Sequence, residues 1–288
     1  MYKALNYWVF GGFADNRTPF EFIDFAVEMG LDGVELTVGD ALSPDISPAR
    51  CAEIRAYVDS KQIGLKTLAT GFYWGCSLGS EDLAERAAAV AFTEKYLKIA
   101  SWLGAESILV VPGATCVAWD PSRPRQSYVS VWNNSLASLK KLLPLAEELG
   151  VNIALENVWN RFLLSPMEWK YYLEQFDSSR IGIYFDVGNC CIYGVPTDYI
   201  DILGAKIKAI HIKNFSGNDC GGGLHGFGDD LLTGDVDFAA VFAALKQIAY
   251  TGPLTAEMIP FSRLPDLVLP DQALAEKTAR QLKKLLVP

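Results

Sequence analysis

A chain of 288 residues that is 50% hydrophobic and 20% charged can bury a large core, which excludes a disordered or low-complexity polymer. A formal net charge of −9 argues against a nucleic-acid partner, which would need a basic face, and no Lys/Arg-rich amphipathic stretch points to a membrane surface. The six cysteines (Cys51, Cys76, Cys116, Cys190, Cys191 and Cys220) form no CxxC pair and read as reduced thiols, and "MYKALNYWVFGG" lacks the pattern of a leader, so the expected location is the cytoplasm. No run of about 18 apolar residues predicts a membrane span.

Short apolar segments alternate with longer amphipathic ones. In chain order the predicted strands are "ALNYWVF" (4–10), "GVELTV" (33–38), "LKTLAT" (65–70), "SILVVP" (107–112), "NIALEN" (152–157), "IGIYFDV" (181–187), "IKAIHIK" (207–213) and "LTAEMI" (254–259). Between them lie helical patterns such as "SEDLAERAAAVAFTEKYLKIASWLG" (80–104). Three helices open at Thr18, Ser47 and Ser165, each a hydroxyl N-cap followed by proline, and Glu21 and Glu168 complete capping boxes. Gly30, Gly64, Gly104, Gly150 and Gly252 are placed to stop helices in a left-handed conformation before the next strand. Alternating strands and helices imply parallel strands with right-handed crossovers, and eight such units predict an α/β fold, a (β/α)8 barrel spanning residues 1–288 as one domain. The competing open doubly wound sheet usually has fewer units, and the Gly-rich phosphate loop expected after its first strand is missing. The stretch "GNDCGGGLHGFGDDLLTGDVDF" (217–238) reads as a mobile active-site loop.

In a barrel the chemistry stands at the C-terminal ends of the strands. Strand five ends in "LEN" with Glu156, strand six in "FDVGN" with Asp186, strand seven in "HIKN" with His211 and strand eight in "AEM" with Glu257. Only two histidines occur in the chain, so an imidazole at the end of an apolar run needs a reason. A lone His there is ordinarily a hydrogen-bonded core residue, and a lone acid is often a cap. Four together would repel one another unless a cation sits among them. One imidazole nitrogen and three carboxylates suit a divalent metal ion, Mn²⁺ first, with Mg²⁺, Co²⁺ or Zn²⁺ as alternatives.

The segments "LGSEDLAERAAAV", "LENVWNRFLLSP", "YFDVGNCCIYG", "IKAIHIKNF" and "LTGDVDFAAVFAALKQIAYTGPLTAEM" resemble the sugar phosphate isomerase/epimerase superfamily with the xylose-isomerase-like barrel, in particular its L-ribulose/L-xylulose 5-phosphate 3-epimerases. The resemblance implies an isomerase of carbohydrate metabolism, a metal-dependent sugar or sugar-phosphate 3-epimerase, with Glu156, Asp186, His211 and Glu257 as metal ligands. It makes Glu156 and Glu257 the two catalytic acid/bases acting through a cis-enediolate. The partner implied is a small-molecule sugar or sugar phosphate, and a homo-oligomer is compatible with it. Many free-ketose 3-epimerases carry a His three residues after the strand-six Asp and an Arg after the strand-seven His. Here the first position is Asn189, as in the pentulose-phosphate branch, and "HIKNFSGN" has no Arg.

Further substrate contacts are expected from Asn189, Lys213, Glu35, Trp119 and His225. Lys213 lies two residues past His211 and so on the same strand face, where it binds a substrate oxygen or phosphate, or pairs with Glu35. Glu35 is read as an orienting or substrate-contacting acid, Trp119 as a sugar platform or a loop cover, and His225 as a clamp in the Gly-rich loop. Tyr7 and Trp8 read as core. For a phosphate, Lys213, Arg123, Arg125 and the amides of "GGG" (221–223) are candidates. A metal-dependent lyase, such as an inosose or dehydroshikimate dehydratase or a carbon-glycoside-cleaving subunit, would share the metal and bases. An apurinic-site nuclease would want a His-rich multi-zinc site and a basic face, and a non-catalytic sugar-binding protein would not need two acids flanking a metal.

Overall fold

The computed structural model describes residues 2–217 and 224–286. Eight strands pair in chain order and close on themselves: β1 (Tyr2–Asn6), β2 (Gly33–Thr37), β3 (Gly64–Ala69), β4 (Ser107–Val110), β5 (Asn152–Glu156), β6 (Ile181–Asp186), β7 (Ile207–Ile212) and β8 (Pro253–Ala256). Every pairing is parallel, including the β1–β8 contact that closes the ring. The expected barrel is therefore present.

Its helices start where the sequence places them. Thr18 and Ser165 form reciprocal capping boxes with Glu21 and Glu168, Ser47 accepts from the Arg50 amide, and proline fills the first turn each time. The helices Leu83–Leu103 and Tyr128–Leu149 end in Gly104 (φ +77°) and Gly150 (φ +70°), and Gly30 (φ +65°) follows the first long helix.

Three local expectations are corrected. The first strand stops at Asn6, because the Asn6 side chain accepts from the Trp8 amide at 2.7 Å and starts the short helix Tyr7–Gly11. The left-handed residue after helix Pro48–Ser60 is Gln62 (φ +55°), not Gly64, and after helix Phe238–Gln247 it is Ala249 (φ +53°), not Gly252. Gly64 serves packing instead: with Gly33 it leaves room for the Tyr2 ring, which a β-carbon at either position would strike. No helix among the described residues is long and apolar enough to cross a membrane. Cys220 and the amides of residues 221–223 lie outside the described residues.

The register carries the chemistry. Asp186 pairs with His211 across β6–β7, His211 with Thr255 across β7–β8, and Asn6 with Glu35 across β1–β2. These polar residues thus share one end of the barrel, above an interior closed by fully buried aliphatic and aromatic side chains. The left-handed Gln62 costs roughly 1 kcal/mol relative to glycine. Gln62→Gly is expected to raise unfolding stability by about that amount in urea titrations; unchanged or lower stability would show that the site is not strained.

Candidate active site

The site rests on a hydrogen-bonded floor inside the barrel. Glu35 on β2 is fully buried, and its Oε1 accepts from Asn6 Nδ2 at 2.7 Å and faces His211 Nε2 at 2.7 Å. The Tyr184 hydroxyl donates to the other Glu35 oxygen and lies 3.4 Å from Thr67 Oγ1. Against the opposing effect of burial, the charge of His211 and its hydrogen bonds hold the Glu35 carboxyl below its ordinary pKa. Glu35 therefore stays ionised and accepts a hydrogen bond from Nε2–H of His211, which turns Nδ1 toward the barrel mouth, the arrangement by which a second acid orients an imidazole suited to hold a metal.

Around Nδ1 stand the three predicted acids. Glu156 Oε1 is 3.5 Å away, Glu257 Oε2 3.7 Å and Asp186 Oδ2 3.8 Å. One ligand atom from each of Glu156, Asp186, His211 and Glu257 falls within 4.8 Å of all the others, and all four residues are buried. That spread suits one ion, since metal–ligand bonds of roughly 2.0–2.4 Å place opposite ligands up to about twice that apart. Among the described residues His211 Nδ1 is a buried polar atom with no hydrogen-bond partner, and Asp186 Oδ2 has only the ion-pair contact of Lys213. Burial raises the Glu156 carboxyl to about 7, with Glu257 and Asp186 adding to the rise and His211 opposing it. Burial acts to lower the His211 pKa, but Glu257 and Glu35 carry it well above its ordinary value, so the cluster demands positive charge here. The nearest acceptor to Nδ1, Glu156 Oε1, lies 3.5 Å away, too far for a well-formed hydrogen bond. A divalent cation between Nδ1 and the carboxylates meets the same demand with the geometry as it stands.

Lys213 supplies part of that charge. It is 2% exposed, with Nζ 2.6 Å from Glu257 Oε2 and 3.1 Å from Asp186 Oδ2. Burial would depress its pKa, but Asp186, Glu257 and Glu156 raise it, so it remains an ammonium. The alternative pairing of Lys213 with Glu35 is not formed, because Glu35 is spent beneath His211; this also replaces a substrate contact for Glu35 with an orienting role. The rings of Trp159 and Phe227 lie over the ammonium at 5.7 and 5.2 Å. Trp159 continues outward into Trp74 and Trp119, with ring centroids 6.1 and 5.6 Å away.

The remaining candidates are spread more widely. Asn189 is 2% exposed and its amide is engaged at both ends: Oδ1 accepts from Trp159 Nε1 at 2.7 Å and Nδ2 donates to the Asn157 carbonyl at 3.0 Å. Trp119 is 44% exposed at the outer edge of the aromatic cluster. His225 is exposed in the one-turn helix Leu224–Gly226. Arg123 is held by Glu85 at 2.7 Å and the Gly75 carbonyl at 2.9 Å, and Arg125 is exposed. Tyr7 and Trp8 are core, bonded to the Arg17 carbonyl and to Asp40.

Sequence reasoning missed Asn157, Trp159, Tyr184 and Phe227. Asn157 bridges β5 and β6, its amide donating to the Asp186 carbonyl and accepting from the Asp186 amide, both at 2.8 Å, and so fixes the spacing of two ligands. Its place directly after Glu156 was the available signal.

Glu35→Gln keeps the side chain's size but can no longer accept the Nε2 proton and the Asn6 amide as an anion. The expected result is a 10–100-fold loss of divalent-metal affinity in competition with a chromophoric chelator, in a protein that stays folded. Undiminished affinity would remove Glu35 from this role.

Over residues 23–285 the chain matches the family described as the xylose isomerase-like TIM barrel. It is 28% identical to the ketose 3-epimerase of Arthrobacter globiformis over 83% of this chain and 78% of that one. To the L-ribulose 3-epimerase of a Methylomonas species it is 32% identical over 43% of this chain and 41% of that one. The chain spans about half the length of several of the curated relatives it matches. The fold is shared with the D-psicose 3-epimerase of Clostridium cellulolyticum H10, solved with D-tagatose, at a TM-score of 0.81 and 18% identity over 99% of this chain and 97% of that one. The barrel, the four converging ligand atoms and a match across most of the sequence lead to one conclusion: the chain belongs to the xylose isomerase-like TIM barrel family.

Proposed function

We propose that the protein is an isomerase, a divalent-metal-dependent ketose 3-epimerase. The observation that carries this reading is the pair Glu156 and Glu257, two buried carboxylates from the ends of β5 and β8 that converge on one cluster, as a reaction using one acid/base on each face of a substrate carbon would require. Sugar 3-epimerases among the relatives support it. Glu156, Asp186, His211 and Glu257 would hold the ion. One nitrogen and three oxygen donors favour Mn²⁺, with Mg²⁺, Co²⁺ and Zn²⁺ as alternatives. When bound, the cation supplies Lewis-acid stabilisation of a developing oxyanion, worth several kcal/mol.

The residues of the chain do the rest. One glutamate removes the proton from C3, and the electron pair passes into the C2–C3 bond and onto the C2 oxygen, giving an enediolate. The other carboxyl group returns a proton to the opposite face of C3, and the electron pair of the enediolate closes the new C–H bond with the configuration inverted. Such positioned acid/base groups contribute about 10²–10⁴-fold. Lys213 adds a fixed positive charge beside Glu257, while Trp159 and Phe227 keep water from the ammonium. A phosphorylated pentulose is the substrate form that Asn189 favours by resemblance. Its phosphate would have to be met away from Lys213 and Arg123, which are already engaged. The protein is read as cytoplasmic and one domain, and a homo-oligomer is compatible with the site lying within one chain.

The reading is tested by incubating the Mn²⁺-loaded protein with ketoses and their 5-phosphates in D₂O and following the products by NMR. Deuterium is expected at C3 in a product of unchanged carbon skeleton with no loss of water; a dehydrated or cleaved product would favour the lyase instead. Glu156→Gln and Glu257→Gln should each lower epimerisation by at least about 10²-fold while the cation stays bound. Either variant turning over at the wild-type rate with metal in place would overturn the two-base assignment.

A further inference from the structure

Resting on the epimerase reading, we infer that Asn189 is a positioning residue that holds the Trp159 ring across the Lys213 ammonium and so sets the wall against which the carbon chain of the substrate lies. Four observations meet at this side chain. Its backbone amide donates to Asp186 Oδ1 at 2.8 Å, which anchors Asn189 to a ligand of the cluster. Its side-chain amide donates to the Asn157 carbonyl at 3.0 Å, which fixes which way the amide faces. That leaves Oδ1 as the acceptor for the indole N–H of Trp159 at 2.7 Å. The ring so held sits 5.7 Å from Lys213 Nζ, and that ammonium is 2.6 Å from Glu257. Trp159 is 9% exposed, and with its N–H satisfied by Asn189 the part of the indole left uncovered is apolar, which suits the C–H face of a sugar chain.

The loop that carries Trp159 is built to keep it there. Arg161 (φ +53°) and Leu163 (φ +57°) both adopt left-handed backbone, an unfavourable conformation for residues with side chains. It is held by hydrogen bonds on both flanks: Asn160 Nδ2 donates to the Gly113 carbonyl at 2.6 Å, the Thr115 amide donates to the Asn160 carbonyl at 3.0 Å, and the Leu163 amide donates to the Tyr128 hydroxyl at 3.2 Å. The backbone places the indole near Lys213, and the Asn189 amide fixes its rotation.

The test uses the full-length Mn²⁺-loaded protein with L-ribulose and L-ribulose 5-phosphate as the probes, together with Asn189→Ala, Trp159→Phe and the double variant. Asn189→Ala keeps the backbone amide bonded to Asp186, so Mn²⁺ affinity is expected within about threefold of wild type. KM is expected to rise about fivefold, the worth of one buried hydrogen bond, with kcat changed much less. In the Trp159→Phe background, which has no indole N–H, Asn189→Ala should add nothing further; a full additional loss there would show a merely structural role through Asn157 and overturn the inference. Independently of turnover, and in the diamagnetic Mg²⁺-loaded protein, the indole N–H whose resonance disappears in Trp159→Phe should exchange with D₂O at least tenfold faster in Asn189→Ala. Unchanged exchange would overturn the assignment. Absence of turnover of both L-ribulose and L-ribulose 5-phosphate by the wild type would count against the epimerase reading, with the exchange measurement deciding the role of Asn189.

Discussion

Three carboxylates gathered around one imidazole nitrogen in a buried barrel mouth form the most expensive arrangement in this molecule, and the rest of the site is organised around it. Stripping water from a charged group costs several kcal/mol even after relaxation, and like charges at such spacing add to that. Glu35, Glu156, Asp186 and Glu257 are all buried, and Lys213 is the one buried ammonium among them. With the imidazole neutral and all four carboxylates ionised, three negative charges are left without compensation, and a divalent cation removes most of that excess. The buried Nδ1 of His211, which makes no hydrogen bond among the described residues, marks where it belongs.

The barrel suits such a centre because parallel strands present their C-terminal ends together and their registers fix the spacing. Asp186 and His211 are paired neighbours across β6–β7, and Asn157 clamps β5 to β6 through both backbone groups of Asp186. Below, the chain Asn6–Glu35–Tyr184 holds the imidazole to one tautomer. Above, Phe227 comes from the segment following β7 and Trp159 from the loop following β5, and the two meet over Lys213 with ring centroids 5.6 Å apart. Floor, ligands and cover thus come from different parts of the chain and serve one electrostatic requirement.

The four-residue cluster was legible because each member is an acid or imidazole at the end of an apolar run, at the end of the barrel where side chains from different strands converge. The strands and capping boxes were legible for the same kind of reason, a local pattern with a local physical cause. What was not legible depends on contacts between distant segments. Nothing near Trp159 in sequence says that its N–H will meet Asn189, and Asn189 read alone suggests a substrate contact. Gly64 looks like a helix stop until Tyr2 is found packed against it, while Gln62 takes the left-handed position although its side chain disfavours it. Asn6, inside a run of strand-forming residues, ends the strand because its side chain caps a helix and supports Glu35 at the same time.

The central claim is that one divalent cation completes the cluster, and it is tested most directly by titrating Mn²⁺ into chelator-stripped protein by calorimetry while following thermal unfolding. The account predicts one Mn²⁺ per chain and a rise in Tm of several degrees at saturating metal, both lost in His211→Ala. A stripped protein that binds no Mn²⁺ and melts at the same temperature with and without it, or a His211→Ala variant that binds it as tightly as wild type, would contradict the account.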